Sequence, residues 1–216
     1  VQTCALPISP DAMTWTRVAN ANFSPNFISA TIEGIIPTAS GFMTVSLSGH
    51  VITGNETGTS WTVTQPMAGS ALYDIKQRTV GGVTTTVIAG TGSKVYSSTN
   101  GTTWTAATMP GTLPAAVDWE RIVVTDAGWT LVGGNFATTY SGYIIQSTDG
   151  ANWTHNTSLA NGPQLMGVVY SGSQYVGVGM VGRIVRSTDG VNWQNVDTGG
   201  LTFPGTLFGA ATGSAG

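Results

Sequence analysis

The chain has 216 residues, only 8% of them charged, and a formal net charge of −3. Its seven Lys and Arg are scattered rather than gathered in a stripe, which argues against a nucleic-acid partner. No apolar run approaches the length of a membrane span, and the length suffices for a sizeable core in one domain.

Residues 1–8, Val1-Gln2-Thr3-Cys4-Ala5-Leu6-Pro7-Ile8, resemble the in-frame translation of a sequencing-library adapter. On that reading they are a non-native segment of an environmental (metagenomic) sequence, the sole cysteine goes with them, and residues 9–216 form the domain. The lack of a visible signal peptide then carries no weight.

From residue 9 two patterns alternate. The heptad Ser9-Pro10-Asp11-Ala12-Met13-Thr14-Trp15 is followed by the apolar run 32–36, the heptad Asn55-Glu56-Thr57-Gly58-Thr59-Ser60-Trp61 and the run 72–75. Ser98-Thr99-Asn100-Gly101-Thr102-Thr103-Trp104 precedes the run 119–123. Ser147-Thr148-Asp149-Gly150-Ala151-Asn152-Trp153 precedes the run 165–169. Strand candidates 175–179 and 183–186, joined across Met180-Val181-Gly182, lead to Ser187-Thr188-Asp189-Gly190-Val191-Asn192-Trp193. An extended piece at 194–196 and a last apolar run at 207–211 complete the chain.

The closing tryptophans stand 46, 43, 49 and 40 residues apart, and the apolar runs keep the same period. Recurrence of this kind marks a repeat architecture. Each unit offers four short strands separated by Gly, Ser, Thr and Asn turns, and no stretch keeps a helical period. Four-stranded units of this length must stack on neighbours to bury their faces. Radial stacking of such units is a β-propeller.

The Ser-Thr-Asp-Gly-x-Asn-Trp string resembles the Asp-box, or BNR repeat, of sialidase-type and related propellers, and the resemblance spans essentially the whole chain. It implies a box on the turn between the third and fourth strands of each blade. The chemistry agrees: Ser and Asp bond to backbone N–H groups ahead of them, Gly supplies a positive φ, and Trp adds an apolar plate. Ser98, Asn100, Gly101, Trp104, Ser147, Asp149, Gly150, Trp153, Ser187, Asp189, Gly190 and Trp193 are therefore assigned to the framework rather than to catalysis. The expected fold is all-β, a propeller of about five four-stranded units. It is either five-bladed, with 206–211 and 9–20 sharing a composite closing blade, or part of a six- to eight-bladed ring.

Propeller sites lie at the mouth of the central channel, which the first strands line. That column reads Glu33, Tyr73, Glu120, Met166 and Phe208, followed by Gly34, Asp74, Arg121, Gly167 and Gly209. Glu33, Glu120, Tyr73 and Arg121 form the candidate set if the chain is an enzyme, since paired carboxylates supply the acid and the base or nucleophile of a glycosidase. A sialidase-like site would need three convergent arginines, and only Arg121 falls in the column. His50 and His155 have no partners at ligand spacing, so no metal and no cofactor is expected. Outside the heptads, Trp119 occupies a core position of its column. Trp129, beside the Asp126-Ala127-Gly128 turn, and Tyr140 and Tyr143, in an insertion from Asn135 to Tyr143, are the candidate binding residues.

The function expected is non-catalytic binding or scaffolding, extracellular or on a virion, like an adhesin or phage tail component, with a glycan or protein ligand and assembly into a larger particle. The alternative is a fragment of a sialidase-like or other Asp-box glycoside hydrolase. A photosystem II assembly-factor propeller is a third reading, which calls for an arginine-rich face.

Overall fold

The computed structural model describes residues 7–8, 16–17, 31–114, 116–135, 141–159, 162–197 and 205–213. The chain falls into two compact units, Val1–Ile75 and Lys76–Gly216; the domain expected over 9–216 spans both.

In the first unit, β1 (Pro7–Ile8) and β2 (Thr16–Arg17) pair antiparallel, Pro7 opposite Arg17 and Ile8 opposite Thr16. The heptad 9–15 between them lies outside the described residues. A four-stranded meander follows, made of β3 (Ile32–Thr38), β4 (Gly41–Ser46), β5 (Val51–Asn55) and β6 (Trp61–Thr64).

The next strand, β7 (Leu72–Val80), begins in the first unit and continues in the second. There its sheet is completed by β8 (Val83–Gly90), β9 (Val95–Ser98) and β10 (Thr105–Ala106). A third sheet consists of β11 (Asp118–Thr125), β12 (Gly128–Asn135), β13 (Ser141–Ser147) and β14 (Thr154–Asn156). The fourth contains β15 (Leu165–Tyr170), β16 (Tyr175–Gly179), β17 (Ile184–Ser187) and β18 (Gln194–Asn195). All four are meanders in chain order, the four-stranded blades of an all-β propeller. No helix among the described residues is long and apolar enough to cross a membrane.

β-Branched runs such as Val83-Thr84-Thr85-Thr86-Val87-Ile88 suit the pleated, partly buried surface of a strand. The second strand of a blade is the most enclosed, and β12 is buried along its whole length. Within the second unit β11 lies against β8 of the preceding blade and β15 of the next, as stacking of neighbouring blades requires. Val87 and Val95 of one blade meet Trp119, Leu131, Ile145 and Trp153 of the next. Val132 and Ile144 likewise meet Leu165, Val185 and Trp193.

The first strand carries a β-bulge in three blades, between Ile32 and Ile35, Trp119 and Arg121, and Leu165 and Gly167. Glu33, Glu120 and Met166, the expected channel column, sit at those bulges. Opposite, Gly133 and Gly179 admit the bulged backbone; a Cβ there would stand 2.0 Å from Asp118 O and from Gln164 O respectively.

Residues 205–213 form no strand, against the expectation of an opening strand over 206–211. Leu207 N–H donates to Gly179 O at 2.9 Å, and a Cβ on Gly167 would stand 3.1 Å from Gly209 Cα. The segment therefore rests on the fourth blade, but a lone backbone bond of this kind makes no ladder. Phe208 stays 68% exposed. The described blades number four, where the sequence suggests five units.

Candidate functional site

The heptads occupy the turn between the third and fourth strands of each blade, and in two of them the bonding is nearly identical. Ser147 Oγ donates to Asp149 Oδ1 at 2.9 Å and accepts from Gly150 N at 2.8 Å. Asp149 Oδ1 also accepts from Ala151 N and Asn152 N, each at 2.8 Å, while Oδ2 takes Asn152 Nδ2 at 2.8 Å. Ser187, Asp189, Val191 and Asn192 repeat the set at 2.7–2.9 Å. Trp153 and Trp193 donate Nε1–H to the carbonyls of Gly150 and Gly190. Gly58, Gly101, Gly150 and Gly190 hold φ between +65° and +76°, which only glycine adopts freely.

The donors fix the charge as well as the shape. The Asn152 backbone N–H, seconded by its amide and by Ala151 and Ser147, holds the Asp149 carboxyl far below the usual carboxylate range. Asn192 does the same for Asp189. Asn100 performs the acceptor role without charge, taking Thr102 N at 3.0 Å and Thr103 N at 2.8 Å. In the degenerate heptad neither Glu56 nor Thr57 takes over. Asn55, at the serine position, reaches forward instead to Thr59 N at 2.8 Å and Ser60 N at 3.1 Å. Trp61 still donates to Gly58 O at 2.8 Å. The signal was an amide side chain at the first position of the heptad.

Two adjoining clefts run beside the heptad of the third blade, within the second unit. The larger, about 430 Å³, is lined by Thr125, Thr130, Gln146, Asp149, Tyr175 and Asp189, among others. The smaller, about 250 Å³, is lined by Arg78, Val80, Val83 and Thr85, and shares Trp129, Thr148 and Asp149 with the first. Arg78 is already engaged: Nε donates to Thr125 O at 3.1 Å, Nη1 to Thr148 O at 3.0 Å and Nη2 to Asp126 O. Tyr175 OH and Thr125 Oγ1, both lining the larger cleft, stand 3.0 Å apart.

Trp129 is where sequence and structure part. Expected as an exposed aromatic at a loop tip or strand start, it does stand at the start of β12, opposite Ser147, but is only 2% exposed. Tyr175 holds the matching place opposite Ser187 in the fourth blade, so the position belongs to the packing of the heptad. Trp129 nevertheless lines both clefts. Its Nε1–H, unlike those of Trp61, Trp153 and Trp193, has no acceptor among the described residues.

Tyr140 lies outside the described residues. Tyr143 is half-buried on the core, its ring 5.7 Å from that of His155. Of the Asn135-to-Tyr143 insertion, Asn135 pairs with Ser141, and residues 136–140 lie outside the described residues. Glu33 is exposed and Tyr73 half-buried in the first unit, while Glu120 and Arg121 belong to the second. Glu120 is 7% exposed and its Oε1 accepts from Gln164 Nε2 at 3.0 Å. Arg121 turns back to the Glu120 carbonyl at 2.7 Å, and Arg183 is buried and bonded to Pro163 O at 2.7 Å. An arginine triad open to a substrate carboxylate is not assembled among the described residues. Burial lowers the pKa of both His50 and His155. Among the described residues no group of three His, Cys, Asp or Glu is placed to hold a metal.

No family model and no curated protein matches the chain. Among solved structures it is similar to YCF48 bound to D1 peptide, at 14% identity and TM-score 0.58, over 85% of this chain and 57% of that one. It is also similar to YCF48 from Cyanidioschyzon merolae, at 12% identity and TM-score 0.54, over 77% of this chain and 56% of that one. Sqt1 of Saccharomyces cerevisiae follows at 10% identity and TM-score 0.50, over 77% and 46%. The chain spans about half the length of these structures. At such identities the likeness is one of fold, and that fold is the β-propeller.

Proposed function

We propose that the chain is a non-catalytic binding propeller of the Asp-box kind whose ligand is a protein, held along the paired clefts of the second unit. The observation that carries this is Trp129, which lines both clefts and whose Nε1–H has no acceptor among the described residues. That donor is not sealed in the core as Trp104 Nε1 and Trp119 Nε1 are, so a ligand carbonyl at the cleft can take its bond in place of solvent. A protein is favoured over a glycan because sugar rings need an exposed aromatic platform, and the expected one, Trp129, is 2% exposed. The fold is one on which a peptide can be held, as the D1 peptide on YCF48 illustrates for that protein. The charge-poor, Ser/Thr/Gly-rich composition is the basis for placing the chain outside the cell or on a particle.

The test is capture from a displayed random-peptide library alongside a glycan array, with a fluorogenic sialoside and glucoside panel in parallel. Peptide capture weakened by Trp129→Phe supports the proposal. Hydrolysis lost in Glu120→Gln, or a glycan signal without peptide capture, refutes it.

A further inference from the structure

We infer that the groove selects an extended peptide segment with a Lys or Arg next to an aliphatic residue. The inference rests on the preceding reading of the chain as a protein-binding propeller and adds the chemistry of the partner. Asp149 and Asp189 both line the larger cleft, and among the described residues no Lys, Arg or His lines it with them. Their Oδ1 atoms are consumed by the turns, whereas each Oδ2 has a single bond, to Asn152 or Asn192, and keeps acceptor capacity. Arg78, in the smaller cleft, gives its bonds to the carbonyls of Thr125, Thr148 and Asp126 rather than to the carboxylates.

The smaller cleft differs in character. Val80 and Val83, each 56% exposed, form an aliphatic wall there. Trp129 lies where the two clefts meet, with its N–H open to an acceptor. A peptide in extended form supplies all three complements within adjacent residues: an aliphatic side chain against Val80 and Val83, a backbone carbonyl on Trp129 Nε1 and a cation between Asp149 and Asp189. An acidic peptide meets two carboxylates held ionised by the backbone, and a neutral one gains only a hydrogen bond to them without the charge attraction.

Asp149→Asn and Asp189→Asn are clean probes, because Asn100 already sustains the same turn in the second blade. The full chain is titrated onto an array of capped twelve-residue peptides with Val-x-Lys or Val-x-Arg cores, matched by sets carrying Gln or Glu in place of the cation. We expect the cationic sets to bind about tenfold or more above the Gln set, as a charge-assisted bond implies, with the Glu set weakest. The double Asn variant brings the Lys and Gln sets together, while Trp129→Phe weakens all sets alike. Equal binding of Lys and Gln sets by the unaltered chain overturns the cation preference and leaves peptide binding standing. A chain that binds none of the four sets refutes both.

Discussion

Gly150 offers a direct measure of how tightly the heptad turn is set between blades. Its φ is +76°, and a Cβ added there would meet Val87 Cγ2 at 2.8 Å and Trp129 Nε1 at 3.3 Å. Gly92 has almost the same backbone, φ +72°, with nothing within 4 Å of the added atom. Both alanine variants suffer the left-handed conformation, about 1–2 kcal/mol. Only Gly150→Ala also overpacks, because Val87 is fully buried and β-branched, which adds about 1–3 kcal/mol. For a chain of this size the totals correspond to a melting-temperature loss of roughly 10 °C for Gly150→Ala and roughly 4 °C for Gly92→Ala. Near-UV circular dichroism follows the transition through the tryptophans packed at the turn. Equal losses in the two variants refute the claim that the heptad glycine is wedged between neighbouring blades.

Two further outcomes follow from the same turns. Asp149 and Asp189 have pKa values lowered on folding, so their contribution is present above the unfolded carboxylate pKa of about 4 and is lost as pH falls toward the folded values. Urea midpoints should hold from pH 7 to about 5 and drop below about 4. The double Asn variant should show a shallower acid drop, and an unchanged one removes the carboxylates from the cause. The tryptophans divide by their nitrogens: Trp153 Nε1 donates to Gly150 O, whereas Trp104 Nε1 is buried with no partner among the described residues. Trp153→Phe should therefore cost about 1 kcal/mol more than Trp104→Phe in chemical denaturation, and the reverse order contradicts the hydrogen-bond assignment.

The blades and their turns were legible because their determinants are local. Ser147, Asp149, Gly150 and Trp153 bond within seven residues, so the spacing of the letters is the geometry of the turn. Trp119, in register with Leu165, was legible as core for the same reason and is fully buried. The groove was not legible, because it depends on which strands lie side by side. Gly128 beside Trp129 read as an exposed turn, yet pairing with Ser147 turns the indole inward. The bulges at Glu33, Glu120 and Met166 were hidden as well, since one extra residue leaves composition and period untouched. Asn55 escaped notice because its amide acts from two places ahead of the expected acceptor.

Asn55 carries a consequence for how such a chain can change. What the turn requires is one oxygen that meets two successive N–H groups, and three side-chain arrangements already satisfy it within a single molecule. Asp149, Asn100 and Asn55 are thus interchangeable solutions separated by small substitutions. A blade can leave the consensus by steps that each preserve the bend. Wording of the motif is then a poor ruler of blade number, and a unit that looks degraded on paper can be sound in space.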